Sequence, residues 1–425
     1  MLDIKILRDD PDRVRAGLTA RGSELDVQPL LDLDTKRRAI ITEAETLKQS
    51  RNAASKEIGK LKQQGEDAEG KMAEVRMIGD TIAALDEKLL EIEEALDLGL
   101  RSIPNLPHAD VPVGTDETAN RVIRTEGEPV VLDFEGKAHW DIGEELGLFD
   151  FQRGARMSGS GFPVLKGAGA RLSRALKQFM LDLHTTEHGY MEVEAPLLVN
   201  DDAMIGTGQL PKMEEDMYRV PGDGLWLIPT AEVPLTNLHR EEILDQPLPV
   251  NLTGYTPCFR REAGAAGKMT RGLNRVHQFD KIELVKLADP ASSYEQLDIL
   301  TSHAETVLQR LGLHYRVLEL CTGDLSFASA RTYDLELWVP GQEAWLEVSS
   351  CSNFEDFQAR RAKIRYRGAD GKPAFVHTLN GSGVALPRLI VAILECGQQA
   401  DGSVLLPEAL WPYMNGVQRL VRPGG

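Results

Sequence analysis

The sequence predicts an α+β protein: a mostly antiparallel β-sheet flanked by helices, behind an N-terminal antiparallel coiled-coil hairpin. Three observations carry this. A heptad seam runs through residues 30 to 100 and folds back on itself. Beyond it, helices and strands follow one another without the regular βαβ alternation of a doubly wound parallel sheet. One segment also reads as strand, loop, strand. Tyr255 to Glu262 and Gln278 to Leu287 are rich in aromatic and β-branched residues, and the loop between them, 263–272, is glycine-rich and basic.

In chain order, residues 1 to 26 form a short helical preface, with Asp10-Pro11 as a helix start and Arg21-Gly22 as a stop. The hairpin follows. Its second half carries Val75, Ile78, Ile82, Leu85, Leu89, Ile92 and Leu96, at spacings that alternate three and four. Its first half carries Ile40, Ala44, Leu47, Ala54, Ile58 and Leu61, interrupted by Arg51, and 63–67 forms the turn. Charge is sorted between the halves. Lys36 to Lys62 holds eight basic and three acidic residues, while Glu66 to Asp97 holds three basic and eleven acidic. A basic flank on a helix pair suits a nucleic-acid backbone, although a dimerisation rod or spacer would look similar. The proline-rich stretch 102–112 marks a boundary, giving an N-terminal domain 1–103 and a second domain 104–425.

In the second domain, Arg171 to His188 is an amphipathic helix ended by Gly189, and Tyr190 to Glu194 reads as a strand with Pro196 after it. Further strands are expected at 226–228, 315–320, 332–339 and 344–349, and helices at 293–311 and 387–395.

Composition narrows the function. The 425 residues suit two or three domains, and 42% hydrophobic content supports ordinary cores. A mean hydropathy of -0.26 fits a soluble protein. The net charge of -18 excludes a generally basic nucleic-acid binder, so any such contact must come from a local basic surface. Cys258, Cys321, Cys351 and Cys396 are scattered, which favours reduced thiols over a disulfide framework or a zinc site. With no signal-peptide region at Met1-Leu2-Asp3-Ile4-Lys5 and no uncharged run of membrane length, a cytoplasmic protein without membrane partner is expected.

Four segments could carry chemistry. In the strand–loop–strand, alternation puts Arg260 with Glu262 on one face, turns Arg261 away, and pairs Phe279 with Glu283 opposite Ile282 and Leu284. A surface with a cation, two carboxylates and an aromatic plate suits a nucleotide and a small zwitterion; a solvated hairpin would also satisfy the pattern. In 342–353 a strand ends in Glu347 and a run of hydroxyls, a site for a hard cation such as Mg²⁺ or simply a serine-rich turn. In 378–388 glycines precede a helix with Arg388 in its first turn, a placement that opposes the helix dipole and suits phosphate. In 229–234, Thr230 is a candidate N-cap, with Pro234 tolerable in the first turn. No Gly-x-x-x-x-Gly-Lys loop, His-Glu-x-x-His pair or Ser/His/Asp arrangement is present, so a covalent mechanism has no support and His277 reads as structural.

An upstream helix–strand–Pro, a strand–loop–strand with Arg-x-Glu, and a glycine-rich segment ending in Arg resemble the three motifs of class II aminoacyl-tRNA synthetases. With the coiled-coil hairpin in front, the chain is similar nearly end to end to the bacterial-type seryl-tRNA synthetase family. Other shared runs are 206–211, 321–324 and 357–361.

The resemblance implies a six- or seven-stranded antiparallel sheet in a homodimer, with the helix running to Pro196 at the dimer interface. It implies activation of L-serine with ATP, Mg²⁺ accompanying the ATP and no zinc. The seryl group then passes to tRNA(Ser), and to tRNA(Sec) where present. By position it implies catalytic roles for Arg260, Glu347 and Arg388. The ATP site would comprise Arg260, Arg261, Glu262, Arg275, Phe279, Glu347, Val348, Ser349, Ser350 and Arg388, with Glu347 and Ser350 on Mg²⁺. Simple strand parity sets Glu347 and Ser350 on opposite faces, so a bend is expected between them. The serine pocket would comprise Thr230, Ala231, Glu232, Arg260, Glu283, Asn380 and Ser382. The tRNA-binding flank would comprise Lys36, Arg37, Arg38, Lys48, Arg51, Lys56, Lys60 and Lys62. The loop 263–272 is expected to order when ATP or the tRNA end arrives. Leu346, Ser326, Gly161, Cys396, Gly397 and Pro387 depart from the usual pattern, none of them at a position assigned to chemistry. A ligase charging a carrier protein would lack the long arm, and a non-catalytic RNA-binding scaffold would not need Arg260, Glu262, Arg275, Glu347 and Arg388 together.

Overall fold

The computed structural model describes residues 1–263 and 271–422. The glycine-rich core of the loop, 264–270, lies outside the described residues, and with it the expectation of its ordering on ligand. The chain divides into two compact units: Leu2–Thr19 with Ser23–Pro104, and Met1 and Ala20–Gly22 with Asn105–Gly425.

The first unit is helical. Ile4–Asp9 and Pro11–Ala20 precede two long helices, Gln28–Gln64 and Glu69–Ser102. These have 37 and 34 residues, somewhat longer than the heptad pattern alone delimits. Each spans roughly 50 Å at about 1.5 Å per residue. Gly65 closes the first in the left-handed region (φ 74°), where its N–H reaches the carbonyls of Leu61 and Lys62. This is the conformation for which glycine is favoured. The seam is as read: every member from Val75 to Leu96 is buried or half-buried, as are Ile40, Ala44, Leu47, Ala54, Ile58 and Leu61. Arg51 is half-buried in line with them. Ion pairs Arg37–Glu93 (2.9 Å) and Lys48–Asp86 (3.2 Å) cross between the helices and fix the antiparallel register.

The second unit is built on eight strands: β1 (Arg121–Glu126), β2 (Met191–Glu192), β3 (Val250–Phe259), β4 (Gln278–Ala288), β5 (Tyr315–Glu319), β6 (Arg331–Val339), β7 (Ala344–Asn353) and β8 (His377–Ala385). Their order is β1-β5-β6-β7-β8-β4-β3-β2. All neighbours are antiparallel except β2 with β3. The count exceeds the six or seven expected. β1 is exposed along its whole length, so it carries no alternation to read, and β2 keeps only two residues of the strand read at 190–194.

Helices Ala168–Thr186, Ser293–Arg310 and Leu386–Gly397 bury their apolar faces against the sheet. Leu172, Leu176, Phe179, Met180 and Leu183 join Leu297, Leu300, Val307, Leu389 and Ile393 over Ile282, Leu284, Leu335, Leu337 and Val348. A second core, with Ala231, Leu235, Leu252, Val285, Leu287, Ala359 and Ile364, lies elsewhere in the unit. Strand β4 joins the two. Its even residues Ile282 and Leu284 enter the first core, and its odd residues Val285 and Leu287 enter the second. The odd face thus belongs to a core at its C-terminal half. At its N-terminal half, Phe279, Lys281 and Glu283, it belongs to the site.

Candidate active site

A cavity of about 390 Å³ opens over β4, β7 and β8. Its wall includes Thr230, Glu232, Arg260, Glu262, Arg275, Phe279, Glu347, Val348, Ser350, Asn380, Ser382 and Arg388. Twelve side chains from five separated stretches of sequence therefore meet in one place.

One end is cationic and aromatic. Strand β3 stops at Phe259, so Arg260 and Glu262 lie just past it, not within a strand as expected. Glu262 sits at φ 51°. The chain turns there, and parity is not what brings the two side chains together. The Arg260 guanidinium lies 5.2 Å over the Phe279 ring, and its Nε donates to the Pro229 carbonyl (3.2 Å). Arg275 pairs with Glu262 at 3.0 Å. Arg388, at the third position of its helix, donates to the carbonyls of Glu347 (2.6 Å) and Asn274 (3.2 Å), which aims it across the cavity mouth. His277 is structural, its Nδ1–H donating to the Arg260 carbonyl (3.0 Å).

The bend expected between Glu347 and Ser350 is a β-bulge. Ser349 pairs with Leu335 and Glu347 with Glu336, so Val348 is the extra residue on β7. One inserted residue reverses parity, and Glu347 and Ser350 line the same cavity. Asp334, opposite Ser350 on β6, was not anticipated. Burial, followed by the charge of Glu347, pushes its carboxyl well above the usual range.

The other end is a buried polar network. Thr230 Oγ1 donates to Glu283 Oε2 (2.7 Å) and Asn380 Nδ2 donates to Oε1 (2.9 Å). Lys281 forms an ion pair with Glu283 and donates to Thr230 Oγ1 (2.9 Å). Gln358 Nε2 donates to Glu232 Oε1 (2.7 Å). Burial first, then the Glu283 charge, raises Glu232 to about 7. At Thr230 the cap is offset by one: Ala231 holds the N-cap position, yet the Thr230 hydroxyl still accepts the Glu232 N–H (3.2 Å).

Four residues read as ligand contacts stand apart from the wall. Arg261 turns away, its guanidinium 5.8 Å from the Tyr218 ring, because its backbone N–H is tied to the Asp216 carbonyl. Ala231 is fully buried in the second core. Ser349 is buried and donates to the Ser382 carbonyl (2.5 Å), a strand-to-strand brace. Glu283 is fully buried behind Thr230 and Asn380, its oxygens engaged by protein. Lys281 and Gln358 were missed. Lys281 was legible, since it lies between Phe279 and Glu283 on the same strand face.

The unusual positions have local reasons. Leu346 is a core residue beside Glu347. A Cβ at Gly161, where φ is 79°, would meet the His277 ring at 2.5 Å, and one at Gly397 would meet the Leu405 carbonyl at 2.3 Å. Ser326 and Pro387 line the cavity. The Cys396 thiol donates to the Trp338 carbonyl.

Comparison with known proteins gives concordant matches along the chain. Residues 1–107 match the seryl-tRNA synthetase N-terminal domain, and 217–396 match the tRNA synthetase class II core domain (G, H, P, S and T). The serine–tRNA ligase of Geobacter sulfurreducens is 54% identical over 99% of this chain and 100% of its own. That of Carboxydothermus hydrogenoformans is 55% identical over the same shares. Among solved structures, the seryl-tRNA synthetase of Pyrococcus horikoshii complexed with ATP superposes with a TM-score of 0.94 at 40% identity, covering 100% of both chains. The cytoplasmic serine–tRNA ligase of Naegleria fowleri in complex with AMP gives 0.88 at 30% identity, covering 100% of this chain and 99% of the other.

Proposed function

Because the chain belongs to the seryl-tRNA synthetase family and is an aminoacyl-tRNA ligase that joins serine to tRNA, we propose the following division of labour among its residues. The supporting observation is the cavity with a cationic, aromatic end and a buried acidic end. ATP takes the first and L-serine the second.

Arg260 binds the α-phosphate and neutralises charge as the serine carboxylate oxygen attacks phosphorus and the bond to pyrophosphate breaks. Phe279 stacks on adenine, with Glu262 facing the base. Arg275 and Arg388 supply cations on the γ-phosphate side and the adenine side. Both are already anchored, which favours positioning over reorganisation. The serine carboxylate is itself the nucleophile, so no enzyme base acts in this step. A terminal ribose hydroxyl of the tRNA then attacks the adenylate carbonyl, and AMP departs.

Glu347 and Ser350 would hold Mg²⁺. Both present oxygen donors to one wall of the cavity, which fits a hard cation that keeps phosphate and water ligands. When bound, it would neutralise phosphate charge. The zwitterion meets Glu232, Thr230, Asn380 and Ser382. Glu283 acts through Thr230 and Asn380, fixing the side chains that meet the serine hydroxyl. Alanine would leave those groups unsatisfied, which gives strong discrimination.

The tRNA lies against the helical hairpin. Arg37 and Lys48 are engaged by Glu93 and Asp86, and Arg38 pairs with the buried Asp34 (3.2 Å). The exposed Lys36, Lys56, Lys60 and Lys62 are therefore the stronger phosphate contacts, and Arg51, half-buried in the seam, the weaker one. A homodimer is supported by β2 at the sheet edge, with Met191 exposed on it and Leu197 and Leu198 exposed in the segment that follows. We place the working division at 1–103 for tRNA binding and 104–425 for catalysis, in the cytoplasm. No helix among the described residues is long and apolar enough to cross a membrane. Serine-dependent ATP–pyrophosphate exchange tests the first step, and its absence would refute the assignment.

A further inference from the structure

Beyond the active site lies a second cavity, of about 330 Å³, with aromatic walls. Trp140, Phe151 and Phe162 line it, Glu144 contributes a carboxylate, and Arg271 stands at its edge. The Arg271 guanidinium lies 4.6 Å over the Trp140 ring, with Asp141 3.6 Å away, and is otherwise exposed. The exposed Arg156 follows Ala155, which also lines the cavity. The volume is in the range of small-ligand sites.

This cavity neighbours the catalytic one through residues that line both sides. A smaller pocket lies between them. It shares Leu273, Phe279 and Pro387 with the catalytic cavity, and Phe162 and Pro163 with the aromatic one. The proposed adenine plate and a set of rings that the two-step reaction does not use are therefore walls of adjoining pockets. Gly161 belongs to its wall, in the left-handed region at φ 79°, and a side chain there would strike His277.

Aromatic plates with an arginine over one of them suit a flat, unpaired base. The carboxylate at Glu144 repels phosphate from the interior and can accept a hydrogen bond from an exocyclic amine. The arginines sit where the sugar–phosphate chain would pass. We propose that this cavity is a stacking site for an unpaired base near the acceptor end of the tRNA, which steadies the end while its terminal ribose occupies the catalytic cavity. The inference rests on the tRNA-charging activity above.

The test separates the two steps. In Trp140→Ala and Arg271→Ala, serine-dependent pyrophosphate exchange should match the parent, while kcat/KM for tRNA charging should fall on the order of ten- to hundredfold for Trp140→Ala and less for Arg271→Ala. Trp140→Phe should restore most of the charging. Normal charging by both alanine variants would overturn the proposal and assign the cavity to another occupant. A parent that exchanges but charges no tRNA would instead refute the activity itself. Should Trp140→Ala misfold, tryptophan quenching decides. A short single-stranded oligoribonucleotide should quench the parent and lose that component in Trp140→Phe. Identical quenching in both proteins would overturn the proposal.

Discussion

Replacing Glu232 with glutamine should stabilise the free protein and weaken its grip on serine. Burial and the Glu283 charge raise the Glu232 pKa from 4.5 to about 7. At about 1.4 kcal/mol per tenfold change in proton affinity, keeping this group ionised at mildly alkaline pH costs the fold on the order of 3 kcal/mol. The sign follows from linkage. Between pH 4.5 and about 7 the folded chain holds the proton that the unfolded chain has released. The stability due to this group is full below the unfolded value. It falls as pH rises through about 7 and is level above. Glutamine has no such slope, and Gln358, 2.7 Å from Glu232 Oε1, can bond to either side chain.

Serine reverses the balance, because an ammonium favours the ionised carboxylate. Its binding should therefore release a proton and tighten as pH rises towards 7. Losing a hydrogen bond to a charged group costs about 1.5–3 kcal/mol, roughly ten- to hundredfold in serine KM. The assay is denaturant unfolding of parent and Glu232→Gln across this pH range, with exchange kinetics on the same samples. Parallel stability profiles would refute the burial argument, and an unchanged serine KM would refute the role.

Arg260→Ala should lose exchange by about two to three orders of magnitude with the fold intact, as expected when one cation on a developing phosphorane is removed; near-normal exchange with a native unfolding profile would contradict its role. Neutralising Lys36, Lys56, Lys60 and Lys62 together should lower the slope of log affinity for tRNA against log salt by about one per lost phosphate contact. Replacing Arg37 and Lys48 should change it less, since Glu93 and Asp86 already hold them. Equal effects of the two sets would contradict the assignment of the arm's contacts.

The arm was legible because a seam repeats, and each of its members is buried or half-buried in the pattern that periodicity dictates. Most of the sheet was legible where strands are buried on one or both faces. β1 was not, since all six residues are exposed and nothing alternates. Within the candidate site, motif spacing picked out residues most of which the fold gathers around one cavity, but local backbone decides which of them face it. The bulge at Val348 brings Glu347 and Ser350 to one wall, as the conflict between motif and parity required. Parity was over-extended at Arg260 and Glu262, because β3 ends at Phe259. Ser349 and Arg261 sit inside motifs yet point elsewhere. Asp334, opposite Ser350, and Gln358, bonded to Glu232, meet cavity residues from other elements and give no local signal; only the fold reveals them.

The most direct test is ATP–pyrophosphate exchange by the purified chain with each of the twenty amino acids in turn. Serine should support exchange, alanine should be rejected by several orders of magnitude because it leaves Thr230 and Asn380, held in place by Glu283, without their hydroxyl partner, and the remainder should be inactive. Exchange that is equally fast with alanine, or absent with serine, would contradict the account.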